Sequence, residues 1–359
     1  MAFFGLFGGK KGTSALGVDI GSSSLKVVQL RKEGGKAVLE TYGELALGPY
    51  AHAAVGQATN LSPEQITETL KDLLREAKVT AKECGVSIPY ARSLLSLVTL
   101  PRRSDPAEQK TVIELEARKY IPIPMQEVQL DWFIVPETDP SMAKPDKVDV
   151  LLVAVQNDEL KLLDQVTRGA GLLPQFFEIE IFSTLRAAVD EPMKPVMVLD
   201  IGAGSTKTYI VERGVVARSH SIPAGSQDIT RALAASANLT IARAEALKKE
   251  EGLRSGTAAT ASERATLELV FSRIFSEAHR VLTQYETESQ KPVSAIVLSG
   301  GGGVTKELEA YAKSVFSIDV RIADPFGKTE APAFMRPVLE EIGPEFAVAV
   351  GLALRQLGA

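Results

Sequence analysis

Two short stretches carry residue types suited to holding an anion and a cation together. In "LGVDIGSSSLKVVQL" an apolar run breaks into Asp19, Gly21, Ser22, Ser23 and Ser24, then resumes through Lys26. Backbone N–H groups in a Gly/Ser turn form a concave donor nest and the hydroxyls add donors, so such a turn can wrap a phosphate. Asp19 cannot serve that anion directly, but a carboxylate beside a phosphate site holds Mg2+, usually through water. Lys26 on the returning strand can meet the phosphate as a point charge. An ordinary β-turn explains one such stretch more simply.

The second stretch changes that balance. "VMVLDIGAGSTKTYIVERG" supplies the same functions from Asp200, Gly202, Gly204, Ser205, Thr206 and Lys207, and in both copies the lysine lies seven residues after the aspartate. A duplicated structural turn would not need aspartate, glycine and lysine in one register, so two hairpins clamping a polyphosphate is the expectation, with Asp19 and Asp200 as the Mg2+ side chains. A third element, "AIVLSGGGGVTKEL", runs a buried strand into Gly300, Gly301, Gly302 and Gly303 before a helix. Residues without side chains let a purine and its ribose approach the backbone, and such turns expose helix N-terminal amides. No GxxxxGK[ST] occurs, and the glycine run lacks the acidic partner of a dinucleotide fold.

These residues need elements to position them. The hairpins are 181 residues apart, too far for a solenoid and suited to two related lobes that face one another. After the first hairpin, "SPEQITETLKDLLREAKVT" predicts a helix capped by Ser62 with Pro63 at its first position, and "CGVSIP" a buried strand. Residues 90–173 predict a βαββα insert with a polar loop at 137–147. In the second lobe, helical runs at 224–252 and 262–290 flank the soft "RSGTAATA" loop. The chain closes with a strand at "SAIVLSG", a helix over 305–315 and a final helix over 344–356.

The totals exclude several classes. The 359-residue chain has a formal charge of -5 and one cysteine, Cys84, so nucleic acid is not an expected partner and no internal disulfide can form. Its three histidines show no metal-ligand spacing. No stretch approaches the ~20 apolar residues of a membrane span. The opening "MAFFGLFGGKKG" places its apolar residues before its lysines, the reverse of a secretory signal, so a cytosolic location is expected.

Together the three motifs resemble those of the actin-like ATPase superfamily, the group of actin, the sugar kinases and the bacterial cell-division protein FtsA. "DIGSSSLK" and "DIGAGSTK" look like its two phosphate motifs, "LSGGGGV" its adenosine motif, and "FEIEIFSTLRAAV" and "PEFAVAVGLAL" its two connecting helices. The resemblance implies an α/β duplicated two-lobe fold of the ribonuclease H-like kind: lobe I over 1–195 (subdomain 1A with an FtsA-type 1C insert at about 90–173), lobe II over 196–343 (2A with 2B at about 224–292), and a helix over 344–359 returning to lobe I. Glu180 matches the carboxylate that faces the attacking water. Within the superfamily, "LEARKYIPIPMQEVQLDWFIV" and "FFGLFGGKK" are similar to the PilM family of type IV pilus assembly proteins.

That similarity implies ATP and Mg2+ binding with weak or no turnover, and a scaffold role in pilus assembly and twitching motility at the inner face of the inner membrane. It also implies docking of the N-terminal cytosolic peptide of PilN between subdomains 1A and 1C, with the pilus motor ATPases and PilC as further partners and no direct membrane insertion. The alternatives are a filament former like FtsA or MreB, and a metabolite kinase built on the same clamp. An FtsA is expected to carry a linker and basic amphipathic tail after "LRQLGA", and the related GspL a transmembrane helix. A kinase needs a further carboxylate base, for which no clear aspartate stands outside the clamp turns.

Overall fold

The structure is a computed structural model and describes residues 14–136, 146–254 and 261–358. The phenylalanine-rich start and most of the 137–147 and "RSGTAATA" loops read above lie outside the described residues. Strands β1 (Ser14–Ile20), β2 (Ser24–Glu33) and β3 (Lys36–Ala46) form an antiparallel meander, with Ala15 to Val18 and Val27 to Leu30 buried in continuous runs, as strands covered on both faces require. The chain then enters α1 (Pro63–Glu76), where Ser62 and Gln65 form a reciprocal capping box and Pro63 takes a first-turn position whose N–H is not needed. Strand β4 (Glu83–Ile88) returns parallel to β1.

Next comes a small unit of β5 (Ser93–Pro101), α2 (Pro106–Ala117), β6 (Val128–Ile134) and β7 (Lys147–Gln156). Its sheet has the order β5-β7-β6 and its own core around Leu100, Ile113, Val150 and Leu152. Helix α3 (Asn157–Gly169) packs on α1 and leads to β8 (Leu173–Ile179), which completes a sheet of order β3-β2-β1-β4-β8. Helix α4 (Glu180–Ala188) follows directly. Where the sequence reads "FEIEIF" as the start of one helix, Phe177 to Ile179 are strand, held by parallel pairing of β8 with β4.

The second sheet repeats the first. Strands β9 (Val196–Ile201), β10 (Thr206–Glu212) and β11 (Val215–Ile222) form a meander, and α5 (Ser226–Ser236), α6 (Ile241–Glu251) and α7 (Ala261–Ser289) cover it. Strand β12 (Ala295–Ser299), helix α8 (Leu308–Phe316) and strand β13 (Asp319–Ile322) give the order β11-β10-β9-β12-β13, the arrangement of the first sheet position for position. After α9 (Arg336–Ile342), helix α10 (Ala347–Leu357) is apolar nearly all round, as a helix buried on several sides must be. It packs on β1, β2, β4 and α4, while α4 also touches β12, so the two helices lie between the sheets. Among the described residues no helix is long and apolar enough to cross a membrane.

Candidate functional site: a cleft between two matched hairpins

The two hairpins share their geometry. Asp19 lies directly across the strand pair from Lys26, and Asp200 directly across from Lys207. In each turn a glycine amide donates to a serine carbonyl, Gly21 to Ser24 at 3.1 Å and Gly202 to Ser205 at 3.0 Å. Both hairpins open onto one cleft of about 310 Å³. Its walls include Asp19, Gly21, Ser22, Ser23, Ser24 and Lys26 from the first hairpin, and Asp200, Gly202, Gly204, Ser205 and Lys207 from the second. Glu180, at the start of α4, and Gly300 and Gly301, after β12, complete the set.

Three residues expected at the site stand behind it. Thr206 is fully buried and its hydroxyl donates to the Ala224 carbonyl at 2.8 Å. Gly302 and Gly303 are buried too, and a Cβ on Gly302 would sit 2.3 Å from the Ile201 side chain, so that glycine serves packing. Gly300 has φ +78°, a backbone that favours glycine, and its N–H donates to the Pro344 carbonyl at 2.9 Å. The helix expected from Thr305 begins only at Leu308.

Charges in the cleft are tightly coupled. Lys26 Nζ donates to Ser24 Oγ at 2.7 Å and pairs with Glu44 on β3 at 2.9 Å. Lys207 Nζ instead reaches Glu180 Oε2 at 2.8 Å and its own Asp200 at 3.4 Å. Burial works against the Lys207 charge, yet Asp200 and Glu180 outweigh it and raise its pKa, so the side chain is a fixed cation. For Asp19, burial dominates, Lys26 offsets part of it and Glu180 adds to it, which pushes the carboxyl up to about 6. Ser87 Oγ donates to Asp19 Oδ1 at 2.8 Å.

This donor set fits a hydrated Mg2+ beside a phosphate. Asp19 and Asp200 are two carboxylates on one cleft, and among the described residues no cluster of three or more metal-ligating side chains occurs. A cation there would take its remaining oxygens from water and phosphate, as Mg2+ characteristically does.

Sequence reasoning missed the far end of the cleft. Glu245 and Lys248 on α6 are buried there, with Lys248 Nζ bonded to Glu245 Oε2 at 2.7 Å and Thr230 Oγ1 at 3.0 Å. Glu345 also lines it, and burial together with Glu44 raises its pKa. The available signal was faint: in "RAEALKKEEG" the pair stands at i and i+3 in an otherwise solvent-like run.

A second concavity, about 890 Å³, lies between the small unit and the first sheet. Trp132, Phe133, Leu151 and Val153 line one side, and Phe177, Ile179, Phe182 and Leu185 the other. Phe133 remains 51% exposed, which is unusual for a phenylalanine on a strand. At its end, Glu178 is held by Arg186 at 2.7 Å, Arg355 at 2.6 Å and Ser183 at 2.5 Å. Burial alone would raise the Glu178 carboxyl, but these partners keep it below the usual carboxylate range.

Duplicated sheets, two helices between them and a cleft flanked by paired hairpins define the class: the chain has the actin-like ATPase fold. It superposes on a PilM-PilN type IV pilus biogenesis complex with a TM-score of 0.80 at 26% identity, covering 96% of this chain and 98% of that one. MreB5 of Spiroplasma citri bound to AMPPNP superposes with a TM-score of 0.54 at 13% identity, covering 94% of each chain. The cell division protein FtsA of Neisseria meningitidis is 22% identical over 346 residues, 86% of this chain and 82% of its own. The family model for the type IV pilus assembly protein PilM matches residues 17–357, and the chain belongs to that family.

Proposed function

We propose that the chain is a nucleotide-binding scaffold of the type IV pilus platform, holding ATP with Mg2+ in the cleft and the N-terminal cytosolic peptide of PilN in the apolar groove. The observation that carries the reading is that Asp19 and Asp200, 181 residues apart, face one cleft with their lysines in the same register. The hairpin amides and lysines would take the phosphates, Asp19 and Asp200 the hydrated cation, and Gly300, Gly301, Glu245 and Lys248 the nucleoside end. Both oxygens of Glu180 are already engaged, by Lys207 and by the Tyr90 amide, which favours binding over turnover.

The groove suits an extended apolar peptide. Strands β6 and β8 each stand at the edge of their sheets, so a peptide can pair with a free strand edge while its side chains enter the aromatic pocket. The Phe133 and Trp132 surface gives that peptide a reason to be there. The platform's inner-membrane position then follows from the partner.

Calorimetry with Mg·ATP tests the first half: Asp19→Ala should abolish binding in a chain that stays folded, and unchanged affinity refutes the site. For the second half, PilN peptide at ~100 times its Kd should stabilise the chain by about 2.7 kcal/mol. No rise in Tm at saturating peptide refutes the docking role.

A further inference from the structure

Glu180 is placed where three parts of the molecule meet. It opens α4, its side chain is only 12% exposed, and its two carboxylate oxygens serve different neighbours. Oε2 accepts from Lys207 Nζ at 2.8 Å, and Oε1 accepts from the backbone N–H of Tyr90 at 2.7 Å. Tyr90 is the root of the small unit: it follows β4 and opens the 3-10 turn Tyr90–Arg92 from which β5 starts. Its own carbonyl accepts from Ser93 Oγ at 2.9 Å, which fixes that turn.

The root is also tied to the second sheet. The Tyr90 phenol donates to Ser219 Oγ on β11 at 3.0 Å, and Arg213, at the β10–β11 turn, pairs with Asp149 on β7 at 3.4 Å. The small unit therefore bridges both lobes, and its root stands beside the groove between it and the first sheet.

A phosphoryl group entering the clamp competes with Glu180 for Lys207. It brings more charge and more acceptor oxygens than a carboxylate, and it brings like charge toward Glu180. We propose that Glu180 is a positioning residue coupling the phosphate clamp to the root of the small unit: a terminal phosphoryl group that draws Lys207 away alters the hold of Glu180 on the Tyr90 amide, and with it the shape of the groove. The inference rests on the nucleotide reading above and adds to it the residue through which cleft and groove communicate.

Hydrogen exchange over residues 90–101 of the full chain, with and without Mg·AMPPNP, tests the coupling, with calorimetry on the same samples. In the wild type the nucleotide should change the exchange rate at the root by about fivefold or more, a local-opening effect. AMP, which lacks the terminal phosphoryl groups, should leave it unchanged. Glu180→Gln, which keeps an acceptor for Tyr90 but not the charge that competes for Lys207, should cut the AMPPNP response to less than about twofold. Tyr90→Phe lies outside the cleft, severs only the Ser219 bond and keeps the amide that Glu180 holds; it should bind nucleotide and keep the AMPPNP response as the wild type does, and loss of that response with binding intact overturns the route through the amide.

No binding of Mg·AMPPNP by the wild type overturns the nucleotide reading and the coupling with it. Binding without a change at the root overturns the coupling alone, as does an equal response to AMP or an undiminished response in nucleotide-bound Glu180→Gln.

Discussion

The hairpins β1–β2 and β9–β10 have the same turn bond and the same Asp-to-Lys register, but their lysines are used differently. Lys26 is anchored inside its own sheet by Ser24 and Glu44, whereas Lys207 reaches across the cleft to Glu180 on the connecting helix. The inner faces differ as well. At the position of Val198 in the second sheet, 181 residues earlier, the first sheet has Gly17. Val198 fills a core shared by both sheets; Gly17 lets the backbone of α10 lie against β1. Two hairpins of matched geometry thus differ in use: the lysine of one stays within its own sheet, and that of the other makes a contact between lobes.

The largest effect is expected at Gly17. A Cβ there would lie 1.9 Å from the Ala349 carbonyl oxygen, a helix backbone atom that cannot move alone. Gly17→Val, which would make the first strand like the second, should destabilise the chain by about 3 kcal/mol or more through overpacking, read from urea unfolding. A variant as stable as the wild type would mean that the two inner faces are interchangeable after all.

The contrast between the lysines is sharpened by removing each in turn. Lys207→Ala removes the proposed phosphate donor and leaves the Glu180 carboxylate without its counter-charge, so Mg·ATP affinity should fall by roughly 100-fold. Lys26→Ala leaves Glu44, which is 38% exposed and can be solvated, so a loss nearer ~10-fold is expected. Equal losses in calorimetry would show that the cross-cleft bond of Lys207 has no special consequence.

How much of this was legible depends on whether the signal was local. The Asp-to-Lys spacing is set by a tight turn between paired strands, so both hairpins and their matching could be read from nearby residues, as could the Ser62 cap. Glu180 was singled out by resemblance alone, because the local pattern does not separate it from Glu178: in "FEIEIFSTLRAAV" Glu178 ends in a buried cluster and Glu180 in the cleft, where the strand gives way to a helix between them. That switch is decided by β4, and the Glu178 partner Arg355 lies 177 residues away. The glycine run misled in the opposite direction. Gly302 and Gly303 look like their neighbours in sequence, but the turn sends them into the packing beneath the cleft. Domain-scale contacts such as the groove are assembled from β6, β7, β8 and α4, and no short stretch contains them.

The smallest expected effect concerns the aspartates. Burial, only partly offset by Lys26, raises Asp19 from 3.8 to about 6. Between those two pH values the native chain binds more protons at this group than the unfolded chain, so its contribution to stability falls as pH rises through the window. Ionised Asp19 is a cost to the folded chain at neutral pH, and protonation below about 4 removes it. Asp19→Asn should therefore gain about 1 to 2 kcal/mol on the wild type between pH 4 and pH 7, the solvent-open cleft screening part of the full shift. Urea unfolding of both proteins across that range gives the difference directly, and a gap that stays constant with pH would place the Asp19 carboxyl at an ordinary value.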